Sequence, residues 1–338
     1  VIGLGVGRHH LQKLAAAQHA EIVAVCDSDP SRLEHVAEEF GVSQRTTNYE
    51  DLLGMAHVDA VVVALPNHLH APVTIAALEA GKHVLCEKPM ARNAEEAAAM
   101  VAAADRAERL LMIHFNYRFT PSAVALHHYV EAGALGHVYH ARSWWHRTRG
   151  IPGMGTWFTS KELAGGGPLL DLGVHRLDLA LWLMGYPKAV SVCGATYNML
   201  GSELAARHGT HYDVEDMASA FIRFEDDATL VLEASWAANG EQPEEMLTQV
   251  YGTKGGIIQR NVAGGYEFEA ALFREEDGSR VTVKPLHYPA DIESAQEHFA
   301  RSILADRQPL ATGQQGLEVM RILDAIYLSA ERREEVRL

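Results

Sequence analysis

The sequence predicts an α/β chain in two parts. An N-terminal, doubly wound parallel sheet is followed by an α+β part built on a large, mostly antiparallel, open-faced sheet. Short apolar runs alternate with helical stretches over the first third of the chain. After Asn116 that rhythm gives way to strands that follow one another with few helices between. A glycine-rich turn, VIGLGVG, stands at the head of the alternation. Continuous apolar runs, each followed by an amphipathic stretch, mark strands buried on both faces. EIVAVCD (21–27) precedes PSRLEHVAEEF, DAVVVAL (59–65) precedes HAPVTIAALEAG, and HVLCE (83–87) precedes NAEEAAAMVAAADRAE; LLMIHF (110–115) closes the series. Beyond it a helix, SAVALHHYVEAG, leads to HVYHARSWW, AVSVCGATY, ASAFIRF, TLVLEASW and EMLTQVYG, with EDDA and GTKGG as hairpin turns. Such runs in succession predict an antiparallel sheet covered on one side. Helices are expected after Pro168 and over DIESAQEHFARSILA and GLEVMRILDAIYLSAERR. The predicted domains are 1–116 and 117–338.

The 338 residues suffice for two cores, and 48% apolar with 22% charged residues is a globular balance. The net charge of −15, with no Lys/Arg block longer than a pair, argues against a nucleic acid or an anionic membrane surface as partner. No apolar run reaches membrane-spanning length, and no signal-peptide pattern is visible. Cys26, Cys86 and Cys193 are widely separated, which predicts a reducing, cytoplasmic setting. Val1 already stands inside an apolar run, so upstream residues of the first strand are expected.

A glycine-rich approach to a helix N-terminus offers backbone N–H groups and positive dipole to an anion. Gly3, Gly5 and Gly7 depart from G-x-G-x-x-G, which would put its third glycine at Arg8. Asp27 ends the second apolar run, where an acid meets an adenosine ribose diol, and there it disfavours a 2′-phosphate, so NAD is expected rather than NADP. Arg32 is either a phosphate-accepting group or a solvated helix residue, and the second reading is preferred. Lys88, in CEKP just past a buried strand, can stabilise an alkoxide or relay a proton; otherwise it is a solvated loop residue.

In GGGPLLDLGVHRLDLALWLMG (165–185), Pro168 suits a first turn and Gly185 a C-terminal cap. Asp171, His175 and Asp178 fall at i, i+4 and i+7, on one helical face. A carboxylate one turn from an imidazole orients it as a general base. Gly173 costs a helix about 1 kcal/mol relative to Ala unless something approaches closely there. The nineteen histidines include NHLH (67–70), HH (127–128) and HGTH (208–211), but none falls in a metal-binding framework, and no metal is expected.

The glycine turn, CEKP and GGGPLLDLGVHRLD, in that order, resemble the glucose–fructose oxidoreductase/inositol dehydrogenase (Gfo/Idh/MocA) family over essentially the whole chain. The resemblance implies a Rossmann domain, a sheet domain that assembles dimers or tetramers, and NAD(P)-dependent oxidation of a secondary alcohol on a sugar, cyclic polyol or glycoside. It implies Lys88, Asp171 and His175 as catalytic residues. The implied cofactor contacts are Gly3, Gly5, Gly7, Arg8, Asp27, Ser28, Leu65, Pro66, Asn67, His70, Glu87, Lys88 and Asn116, the last in NYRF (116–119). Arg118, His146, Arg147, Trp157 and Trp236 are substrate candidates by location. The family's G-x-G-x-x-G-x-x-H fits if one residue is dropped, with Gly7 as third glycine and His10 as trailing histidine. Three alternatives remain: a glycosidase using transient oxidation by bound NAD, a non-catalytic NAD-sensing regulator of the same fold, and an oxidoreductase of a nitrogen-containing substrate such as an imine.

Overall fold

Buried apolar strands of three or four residues carry the first part of the chain: β1 (Ala24–Cys26), β3 (Ala60–Val63), β4 (His83–Cys86) and β5 (Leu111–Ile113), with the polar β2 (Gln44–Thr46) between the first two. The structure is a computed structural model describing residues 1–285 and 292–338; Asp291, first residue of an expected helix, lies outside the described residues. β1 pairs with β2, β3 with β4 and β4 with β5, all in parallel. Ile2 bridges Cys26 on one side and Val63 on the other, joining the two ladders. The intervening helices are α1 (Gly7–Ala15), α2 (Pro30–Phe40), α3 (Tyr49–Leu53), α4 (Asn67–Glu79) and α5 (Ala94–Ala107). α2 starts on an Asp29 cap with Pro30 in its first turn and stops at left-handed Gly41. β2 and α3 were not foreseen: an exposed, polar three-residue edge strand carries no hydrophobic signature.

The second part holds α6 (Pro121–Glu131), α7 (Lys161–Ala164), α8 (Val174–Leu183) and α9 (Leu200–His208). Its strands are β6 (Val138–Arg147), β7 (Ala189–Tyr197), β8 (Met217–Phe224), β9 (Thr229–Ser235), β10 (Glu244–Gly252), β11 (Gly255–Asn261), β12 (Phe268–Glu276) and β13 (Ser279–Val283). The C-terminal segment adds α10 (Ala295–Leu304), α11 (Gly313–Arg332) and β14 (Val336–Arg337). The nine-stranded sheet runs β13-β12-β11-β10-β6-β9-β8-β7-β14, with β6 and β9 its one parallel pair. α6 lies on β11 and β12, and α8 on β6, β9 and β10, so one face is covered. Every residue of α8 is buried, its polar His175, Arg176 and Asp178 included.

Two compact units result: Val1–His114 with Glu293–Met320, and Phe115–Ile292 with Arg321–Leu338. The expected second domain, 117–338, therefore loses Glu293–Met320 to the first unit. The physical reason is the open edge of β5. The Ile113 amide donates to the Ala311 carbonyl at 3.0 Å, and Thr312 bridges Met112, closing that edge.

Candidate active site

The glycine turn divides three tasks among three glycines. Gly3 has φ +87°, and a Cβ there would lie 2.3 Å from the Ala64 carbonyl oxygen, so only glycine fits. Gly5 is exposed, with nothing within 4 Å of a Cβ, which leaves the backbone open to close approach by a ligand. Gly7 is buried in α1, where a Cβ would meet Val1 at 3.0 Å and Ala64 at 3.6 Å; it serves helix–strand packing. These are the roles of the glycines in a dinucleotide-binding turn, compressed by one residue. The buried Asp27 carboxylate braces the turn: Oδ2 accepts the Leu4 amide at 2.7 Å and Oδ1 the Asp29 amide at 2.9 Å. The residues present thus fit a dinucleotide.

Two neighbours depart from expectation. Arg8 turns its guanidinium to Glu39 of α2, at 2.7 and 2.6 Å, rather than toward an anion at the turn. Arg32 is not merely solvated: it donates to Asp27 at 3.2 and 3.3 Å and to Asp29 at 3.4 Å. Ser28 is exposed beside Asp27.

The segments after β3 and β4 are tied together by His70. Its ring is buried, with Nε2 2.7 Å from the Leu65 carbonyl and Nδ1 2.7 Å from the Pro89 carbonyl. Burial pushes its pKa down, against the pull of the two carbonyls. Leu65 and Pro66 lead into α4, whose first residue, Asn67, is buried. Lys88 is half-buried, its peptide to Pro89 is cis, and its backbone amide donates to Glu87 Oε2 at 3.0 Å. Glu87 Oε1 takes His10 Nε2 and His114 Nδ1, each at 2.8 Å. Burial works to raise the Glu87 pKa, but the two histidines hold it well below the usual carboxylate range. His10, Glu87 and His114 bring potential metal-ligand atoms within 4.8 Å of one another. No spacing rule could find this cluster, because its members lie far apart in sequence.

In the second unit the helix after Pro168 is split: a π-helical turn, Leu169–Gly173, precedes α8. π-turns inside helices are frequent at functional sites. The buried Glu215 carboxylate anchors this turn, accepting the amides of Gly167 at 2.9 Å and Leu169 at 3.0 Å and the Tyr327 hydroxyl at 2.8 Å. An anion at a helix N-terminus is stabilised by the peptide dipoles; burial nonetheless pushes the Glu215 pKa up. Asp171 Oδ2 accepts the Trp236 indole N–H at 2.9 Å. His175 is 8% exposed and packs edge-on with Tyr117, centroids 5.1 Å apart, and at a tilt against Trp145, at 5.7 Å. Behind that aromatic wall lies the fully buried Arg176, 4.3 Å from the Tyr117 ring and 5.3 Å from Trp145. Gly173 is explained by packing: a Cβ would meet Ala234 of β9 at 3.3 Å.

Several expectations change here. Asp178 does not share a site with Asp171 and His175: buried, it pairs with Arg118, at 3.0 and 2.5 Å. Arg118, fully buried and also bonded to the Tyr186 hydroxyl at 2.9 Å, is structural rather than a substrate contact. Trp236 is 0% exposed and positions Asp171, so it offers no open face to a sugar. His146 stacks on Trp144 and pairs with Glu233 at 3.4 Å, on the sheet face opposite Trp145 and His175. Arg147 is held by Glu244 at 2.7 Å on the same face as Trp145. Trp157 is half-buried and stacked on Phe158. Asn116 is exposed at the start of a 3-10 turn, Asn116–Phe119, within the second unit. Tyr117, Trp145 and Glu215 were missed as contributors around His175.

The chain matches the oxidoreductase family with an NAD-binding Rossmann fold over residues 1–115, and the Gfo/Idh/MocA C-terminal domain over residues 123–258. D-glucoside 3-dehydrogenase of Escherichia coli (strain K12) is 31% identical over 347 residues, covering 100% of this chain and 96% of that protein. Myo-inositol 2-dehydrogenase of Thermotoga maritima is 29% identical, covering 100% and 97%. The solved levoglucosan dehydrogenase in complex with NADH and levoglucosan superposes with a TM-score of 0.87 at 26% identity, over 99% of this chain and 97% of that one. The protein is an oxidoreductase with an NAD-binding Rossmann fold, and these relatives are dehydrogenases of sugars and polyols. It belongs to the Gfo/Idh/MocA family. No described helix is long and apolar enough to cross a membrane.

Proposed function

We propose that the chain oxidises a ring-held secondary hydroxyl of a sugar or glycoside with NAD, using Lys88, Asp171 and His175. The observation that carries this reading is the Asp171–His175 turn, whose carboxylate accepts the Trp236 indole N–H and whose imidazole packs against the Tyr117 ring. His175 takes the hydroxyl proton as general base. Asp171, held by Trp236, orients it, and the Lys88 ammonium stabilises the developing alkoxide. When bound, the nicotinamide accepts the hydride. The first unit holds the dinucleotide through Gly3, Gly5, Gly7 and Asp27, and the second holds the substrate, with Arg147 and Trp157 as the remaining candidates for sugar contact. Asp27 favours NAD over NADP, because its buried carboxylate would repel a 2′-phosphate and it already engages the nearby Arg32 guanidinium.

A homodimer or homotetramer through the sheet is supported by the uncovered face, where Trp144, Phe221, Val231, Leu247 and Tyr251 are all only half-buried. A cytoplasmic location is consistent with three unpaired cysteines. Reduction of NAD and NADP should be followed across methyl glucosides, anhydrosugars, inositols and free aldoses. The reading expects stoichiometric NADH with a glycoside or sugar and a preference for NAD. Glycoside cleavage without net NADH would assign the chain to hydrolysis instead.

A further inference from the structure

The ring and carboxylate atoms of one cluster in the first unit can each be given a direction. An ionised carboxylate only accepts, so His10 Nε2 and His114 Nδ1, each 2.8 Å from Glu87 Oε1, both donate to it. A neutral imidazole that donates through one nitrogen accepts through the other, which leaves His10 Nδ1 and His114 Nε2 as acceptors. The amide nitrogen of Gln296 lies 2.8 Å from the first and 3.5 Å from the second, and its two hydrogens are what those acceptors need. The other oxygen of Glu87 accepts the Lys88 backbone N–H at 3.0 Å. The chain of bonds thus runs from Gln296 through two histidines to the backbone of the lysine.

The cluster is shielded: His10 is 1% exposed, Gln296 3% and Glu87 9%. Gln296 reaches it from α10, which is docked on the first unit by its neighbour Glu297. That carboxylate accepts the amides of Gln18 at 2.9 Å and His19 at 3.3 Å, just past the end of α1. The C-terminal segment therefore supplies a side chain to the wall behind CEKP, and no motif in the sequence includes it.

We propose that Gln296 is a positioning residue for Lys88. Its amide locks His10 as the Nε2–H tautomer and His114 as the Nδ1–H tautomer, both rings then donate to Glu87, and Glu87 fixes the lysine backbone. This rests on the reading of Lys88 as the catalytic cation. The atoms that could otherwise bind a metal are all spent on these hydrogen bonds.

The test combines nitrogen NMR of the full-length, histidine-labelled chain with a double-mutant cycle. The spectrum should show one Nε2–H and one Nδ1–H neutral tautomer for the two rings, unchanged by added Zn²⁺ alone. Gln296→Glu is nearly isosteric but cannot donate. It should abolish that tautomer pair, because a carboxylate beside His10 Nδ1 needs a donor there, and both it and Gln296→Leu should lower kcat about tenfold, with KM for NAD within about twofold. In the Lys88→Ala background, Gln296→Leu should cost no further turnover. Doubly protonated rings in the parent chain, displacement of the pattern by Zn²⁺, full activity of Gln296→Glu, or an undiminished loss in the Lys88→Ala background would each overturn the proposal. Full activity of Lys88→Ala alone would instead refute the catalytic reading of the lysine, while the tautomer result would still be decided by the spectrum.

Discussion

The glycine turn and the Asp171–His175 turn are both irregular entries into a helix, yet they are held in opposite ways. Gly3, Gly5 and Gly7 work through what they lack, and the turn's side-chain brace, Asp27, directly follows the next strand in sequence. The Asp171 turn is held by groups from distant parts of the chain: Glu215 before β8, Trp236 after β9 and Tyr327 in α11. A backbone-binding site can be built from local turn chemistry. A proton-transfer site needs side chains locked from several directions, and so it draws on the whole sheet.

Replacing His175 by Ala should lower kcat by about 10³-fold, because general-base assistance is worth 10²- to 10⁴-fold. NAD affinity should stay near the parent value in a titration. Gly5→Val attacks the other region: a side chain placed in the open space beside the turn should weaken NAD about 100-fold, with kcat at saturation little changed. The same effect of both variants on kcat would break the division between the two turns. Trp236→Phe keeps the ring but removes the N–H to Asp171, and should cost about tenfold in kcat with KM for the sugar unchanged. A large rise in KM would restore Trp236 as a sugar contact. The smallest effect concerns acid stability. The Glu87 pKa is depressed in the folded chain, so its stabilisation is present above the unfolded value and is lost as pH falls toward the folded one. Glu87→Gln should therefore show a shallower loss of stability between about pH 5 and pH 3 in denaturant titrations.

The parallel strands were legible because each is a continuous apolar run, and the glycine roles because backbone strain selects glycine at Gly3. β2 and α3 escaped notice because an exposed edge strand is polar and a five-residue helix has little room for a pattern. Lys88, Asp171 and His175 could be named from motifs, but the spacing that grouped Asp178 with them assumed a regular helix. The π-turn and the Arg118 ion pair broke that grouping. Trp236 and Arg118 were substrate candidates by location alone, which says nothing of burial; burial assigns them to support. The boundary at 116 missed the return of Glu293–Met320, since nothing in an amphipathic helix says which unit it covers.

Lys88→Ala tests the central claim most directly, with turnover and NAD affinity measured on one preparation. The account predicts that turnover collapses by about 10³-fold or more while NAD binding stays within about twofold. Full turnover in that variant, or a loss of NAD binding large enough to explain the fall, would contradict it.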